Sequence, residues 1–285
     1  MIGHFQQYNQ IKMLNNCEYL LLKKYQLRFL RNGLSISGSR RYSPGDDIHL
    51  INWKLSAKTG ETHVHTTRPD SGNDVVFIID MSSSMAFSTK PCSKFDIASK
   101  ILATLSKLAK ISKDKVGIVL FLDDICCYRR PSNKTQYLSQ LLTKNFCPNG
   151  RETNLLKAMK FAGKTLRKRS NIVILSDIFA LSNERKKLLS EIYILRTRHD
   201  ITIVNISDVN DIVPEKVGNI FIKDLETGES LSIDTNDTEL IGSIRTKFSE
   251  YRDIVLSDIK KLGVKIVDVD TSSDINDSIL MTLQR

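Results

Sequence analysis

The chain has 285 residues, 41% of them hydrophobic and 26% charged, with a formal net charge of +10. That length allows one large buried core with at most a smaller appended module, and no apolar stretch reaches the roughly 18–20 residues needed to cross a bilayer. The opening Met1-Ile2-Gly3-His4 lacks the basic start, apolar middle and small-residue cleavage site of a secretory signal, so a cytoplasmic location is expected, peripheral to a membrane only through partners.

The basic excess lies at the front: residues 1–69 carry 10 Lys/Arg against 4 Asp/Glu, and the remainder carries 32 against 28. Residues 1–69 read as a separate basic layer, with 11–30 largely helical and 61–68 extended. From residue 70 to 285 the character changes to an alternation of strand-like and helix-period runs. Strands are predicted over 75–79, 116–122, 172–175, 201–206 and 264–269, and their near-continuous apolar character fits strands buried on both faces. Behind Ser93, a predicted N-cap, Phe95, Ala98, Ile101, Leu102, Leu105, Leu108 and Ala109 recur at helical spacing. Further helices are expected over 155–166, 183–196 and 238–262, the last stopped by Gly263. Between Val217 and Asp234 the turn Glu226-Thr227-Gly228-Glu229 separates two short apolar runs, predicting a hairpin at the sheet edge. The alternation argues for an α/β fold with a doubly wound, mostly parallel sheet and helices on both faces.

The run Val75–Ile79 stops at Asp80 and then offers hydroxyls at alternate positions, Ser82 and Ser84. Ile172-Val173-Ile174-Leu175-Ser176-Asp177 repeats the pattern of a buried strand ending in an acid, and parallel strands would bring Asp80 and Asp177 to one sheet edge. The turn at 149–154 leads into a helix and would deliver the Thr153 hydroxyl there, although Thr153 also reads as an ordinary N-cap. Asp80, Ser82, Ser84, Thr153 and Asp177 form a hard-oxygen set suited to Mg²⁺ or Mn²⁺. With only two carboxylates the ion would stay electrophilic, so an acidic residue of a partner protein would complete its shell. The loop is expected to lie outside the core, so Asp80→Ala should abolish partner capture and leave the fold intact.

The set resembles the metal-ion-dependent adhesion site of von Willebrand factor A domains, and all five positions match. Arg41-Tyr42-Ser43-Pro44-Gly45-Asp46-Asp47, with Ile51-Asn52-Trp53 downstream, resembles the R-x-Y-x-P/x-G-D-D … I-D-W signature of the bacterial domain-of-unknown-function family numbered 58. Asp224-Leu225-Glu226-Thr227-Gly228-Glu229 resembles that family's D-x-E-T-G-E segment. The chain departs from the signature at His49, Asn52 and Lys58. The resemblance implies a von Willebrand factor A-like domain acting as a non-catalytic adaptor, with a MoxR-type AAA+ ATPase as partner in maturation or remodelling of other proteins. Read physically, Pro44-Gly45-Asp46-Asp47 is a tight turn and Trp53 an aromatic anchor burying the front layer. The chain has no G-x-x-x-x-G-K-[ST] loop, so ATP hydrolysis would come from the partner.

Two other classes compete. A Mg²⁺-dependent phosphotransferase using Asp80 as nucleophile would want a second carboxylate two residues on, where Ser82 stands. Nucleic-acid or anionic-surface binding through the basic front would show a steep salt dependence, but no aromatic-interleaved motif accompanies the charge. The five cysteines, Cys17, Cys92, Cys126, Cys127 and Cys147, contain no C-x-x-C pair and fit reduced thiols. His63 and His65 lack a third ligand and read as surface residues rather than a zinc site.

Overall fold

Six consecutive apolar or acid-terminated positions from Val75 to Asp80 are buried on a strand that has neighbours on both sides, which is what an unbroken apolar run demands. The computed structural model describes residues 20–22, 24–25, 36–44, 46, 51–67, 72–86, 92–134, 153–178, 185–208, 218–223, 230–272 and 275–283. Elements in chain order are β1 Ile36–Arg41, α1 Trp53–Thr59, β2 His63–Thr67, β3 Asp74–Asp80, α2 Ser83–Ala86, α3 Lys94–Ile111, β4 Lys115–Phe121 and β5 Ile125–Ser132. They continue with α4 Leu155–Thr165, β6 Asn171–Ser176, α5 Arg185–Arg198, β7 Asp200–Ser207, β8 Asn219–Lys223, β9 Ser230–Asp234, α6 Thr238–Lys261, β10 Lys265–Asp270 and α7 Ile275–Leu283.

The central sheet has six strands in the order β10-β7-β6-β3-β4-β5. All neighbours are parallel except the edge strand β5, which pairs antiparallel with β4. The doubly wound, mostly parallel α/β architecture expected from the alternation is therefore present, and the antiparallel edge strand β5 is added to it. Successive residues of β3 alternate between two cores. Val75, Phe77 and Ile79 pack with α3 and α7, and Val76 and Ile78 pack with α4, α5 and α6. Burying a Val, Ile or Phe side chain stabilises by about 1.5–3 kcal/mol, so this strand, apolar on both faces, anchors the whole molecule.

Helix ends at Ser93 and Gly263 follow the sequence reading. Ser93 caps α3 in a capping box with Asp96, Asp237 caps α6, and Gly263 takes the left-handed conformation just past it at φ 67°. Elsewhere the structure corrects the expectations. The hairpin at 217–234 is formed by β8 and β9 but stands as its own two-stranded sheet, not as an edge of the central one. Its turn, 224–229, lies outside the described residues. β5 and α7 are additional elements. The front layer contains an antiparallel pair, β1 with β2, and its separation from the main domain is incomplete. Leu21, Leu22 and Tyr25, from short helical pieces at 20–22 and 24–25, belong to the same core as α3. The physical reason is that Tyr25 is fully buried and its hydroxyl donates to Asp114 just before β4, at 2.8 Å. Among the described residues no helix is long and apolar enough to cross a membrane.

Candidate metal centre at the switch point of the sheet

The chain leaves β3 through α3 toward β4 on one side, and leaves β6 through α5 toward β7 on the other. A crevice opens outside the carboxyl ends of two neighbouring strands whose connections diverge in this way. Asp80 is the last residue of β3, and Ser176 the last of β6. Thr153 is brought beside them because the Asn154 N–H donates to the Leu122 carbonyl at 2.8 Å, tying the start of α4 to the end of β4. The N-cap of α4 is Asn154, whose side chain accepts from the Lys157 N–H. Thr153 is thereby released from the capping role that the sequence also allowed.

Asp80 is fully buried, which corrects the expectation of a loop outside the core. Its Oδ1 accepts the Ser82 N–H at 2.9 Å, and its Oδ2 accepts the Thr153 hydroxyl at 3.0 Å and the Ser176 hydroxyl at 2.7 Å. A carboxylate needs such donors once it is stripped of water. Ser82 and Ser84 bring their hydroxyl oxygens within 2.9 Å of each other. Met81 and Met85, both buried in the α3-side core, pin the loop between them. Asp177 lies on the same edge, but its hydrogen bond goes elsewhere: the Lys94 ammonium donates to Asp177 Oδ2 at 2.5 Å, with Lys94 only 1% exposed. The next N–H, that of Ile178, donates to Asn205 Oδ1 on β7 at 3.0 Å, and Asn205 donates on to Asp268 of β10 at 3.0 Å.

The sequence thus placed Asp80, Ser82, Ser84 and Thr153 in one bonded cluster and Asp177 beside it. It missed Ser176, Asn205 and Lys94. Ser176 was legible as a hydroxyl immediately before the second acid, whereas nothing local marks Lys94 among the 42 Lys/Arg of the chain.

Among the described residues no three His, Cys, Asp or Glu side chains are grouped so as to hold a metal ion, so any cation here must be held largely by hydroxyls. The donor set fits a small hard cation. Its members are hydroxyl and carboxylate oxygens, the ligand type such a cation takes, and the Ser82–Ser84 and Thr153–Asp80 hydrogen bonds, at 2.9 and 3.0 Å, hold them together.

The signature loop is a separate feature. Asp46 closes a turn by accepting the Ser43 N–H at 2.8 Å and binds Arg40 through both oxygens, at 2.7 and 2.6 Å. The Arg40 guanidinium holds the Asp46 carboxyl below its usual range. Pro44 sits inside that turn, Arg41 pairs with Glu61 at 2.6 Å, and the Tyr42 N–H donates to the Thr62 carbonyl at 2.8 Å. Asn52 caps α1, its side chain accepting from the Leu55 N–H and donating to Ser39. Trp53 is 69% exposed, so it is no buried anchor. As the first residue of α1 it is carried on a helix without a buried residue. Gly45 and Asp47 lie outside the described residues.

Residues 38–253 match the family described as "Protein of unknown function DUF58". The chain belongs to the DUF58 family. Its similar sequences include uncharacterized proteins of Mycobacterium tuberculosis (strain H37Rv) and Mycobacterium bovis, each 26% identical over 243 residues, covering 83% of this DUF58 chain and 74% of the relative. Among solved structures it is similar to the conserved hypothetical protein BatB from Bacteroides thetaiotaomicron, at a TM-score of 0.48 and 16% identity, covering 74% of this chain and 97% of that one. It is also similar to the SpRpn10 VWA domain, at a TM-score of 0.44 and 10% identity, covering 73% and 93%.

Proposed function

We propose that this DUF58 protein is a non-catalytic interaction module that binds an acidic residue of a protein partner through a Mg²⁺ or Mn²⁺ ion at the switch point of its sheet. The observation that carries this reading is the cluster in which Asp80 gathers Ser82, Thr153 and Ser176 while Ser82 and Ser84 pair their hydroxyls. Asp80, Ser82, Ser84 and Thr153 would hold the ion, and Asp177 would contribute from the neighbouring strand end. The ion supplies a Lewis-acidic position for an incoming carboxylate. The protein's own residues hold the oxygens in place and restrict water at the buried side. Both Asp80 oxygens accept hydrogen bonds, and the residue two positions on is Ser82, which favours binding over a phosphotransferase role.

The partner that the family resemblance points to is a MoxR-type AAA+ ATPase or its client. Exposed Trp53 and Tyr42 on the signature segment offer that partner a second contact. A nucleic-acid role for the basic front receives less support, because Arg40 and Arg41 are already paired with Asp46 and Glu61. The test is isothermal titration of Mn²⁺ into wild type and Asp80→Asn. Uptake of one ion by wild type and none by the variant is expected; equal uptake by both would remove the ion from this cluster.

A further inference from the structure

Lys94 is a charged group at the site edge that the metal reading does not require, and its position is costly. It is the first residue of the 18-residue helix α3, and it is buried. A helix amino end carries partial positive charge and disfavours a cation, and burial disfavours an ammonium further. Capping does not explain it, because Ser93 and Asp96 already satisfy the helix start by a reciprocal capping box. Its ammonium reaches Asp177, 83 residues away in sequence, at 2.5 Å.

We infer that Lys94 is a tethered counter-cation of the site, so that loading a divalent ion competes with the Lys94–Asp177 pair. This rests on the metal reading above and deepens it. Asp80 and Asp177 together bring two negative charges, and Lys94 neutralises one of them in the unloaded protein. A divalent ion then leaves the site with one net positive charge. A single carboxylate from a partner restores neutrality, so the charge count itself selects an acidic group as the completing ligand. The ammonium also repels the ion, which keeps intrinsic metal affinity low until that carboxylate arrives. Loss of the ammonium should therefore tighten metal binding in the absence of any partner, the opposite of what removing a ligand does.

The test is Mn²⁺ titration of the full chain by calorimetry, comparing wild type with Lys94→Gln and Lys94→Met, each with and without Asp80→Asn. Gln keeps a hydrogen-bond donor for Asp177 without the charge, so it covers the case in which Met fails to fold. Affinity at least tenfold tighter in Lys94→Gln than in wild type, lost again with Asp80→Asn, is expected. Thermal melts in EDTA add a readout independent of binding: Lys94→Met should melt below wild type and recover when Mn²⁺ is added. Unchanged or weaker affinity in Lys94→Gln, beside measurable wild-type binding, would overturn the counter-cation role and leave the metal reading standing. Absence of Mn²⁺ uptake in wild type and in both single variants would overturn both.

Discussion

Asp80 carries more of the fold than its place at the very end of β3 suggests. Its two oxygens satisfy the Ser82 amide and the Thr153 and Ser176 hydroxyls, so truncation to alanine leaves three donors without their acceptor inside the protein. Each such loss costs about 1–3 kcal/mol. Asp80→Ala is expected to lower stability by a few kcal/mol in urea denaturation as well as abolish metal binding, whereas Asp80→Asn should abolish binding at a smaller loss of stability. A variant Asp80→Ala as stable as wild type would mean that those hydrogen bonds do not support the loop. Most of this cluster was legible in the sequence, because D-x-S-x-S after a buried strand compresses three of its residues into five positions. Lys94 was not. Its partner Asp177 is distant in sequence, and its own neighbours, a capping serine and an apolar helical stripe, give no sign that the ammonium points inward.

The helices read from the sequence coincide with α3, α4, α5 and α6 to within about two residues at either end, since caps and apolar periodicity are local properties. β5 escaped for an equally local reason: it mixes Arg129, Arg130 and Pro131 with apolar residues, and proline is tolerated in it because it is an edge strand. The helical pieces at 20–22 and 24–25 were expected, but their membership of the main core was not, because it depends on the long-range Tyr25–Asp114 bond. Trp53 misled for a related reason: a large aromatic residue is only buried if its element has something to pack on, and α1 buries none of its residues. The approach to β3 depends on close backbone contact. A Cβ placed on Gly72 would lie 1.9 Å from the Lys113 carbonyl oxygen at the turn after α3. Gly72→Ala is therefore expected to destabilise by about 3 kcal/mol, read as a lowered urea midpoint; an unchanged midpoint would show that the turn yields without cost.

The core of the whole molecule also contains a titrating link. Burial pushes the Asp114 carboxyl up from its ordinary 3.8 to about 6, against the opposing hydrogen bonds from Tyr25 and Asn73. A raised folded-state value means that the folded protein binds this proton more tightly than the unfolded chain. The resulting stabilisation is fully present below about pH 4 and is lost as the pH rises through about 6, an effect on the order of 3 kcal/mol. Relative to wild type, Asp114→Asn should gain stability between pH 4 and 6 and hold that gain above it, as followed by thermal melts; a difference that stays constant with pH would contradict the assignment. The central claim concerns what the molecule binds. It is tested most directly by capture from native cell extract with wild type and Asp80→Asn, each in Mg²⁺ and in EDTA. A protein retained only by wild type in Mg²⁺, and released by EDTA, is the predicted result. The same proteins retained in all four samples would contradict a metal-mediated interface.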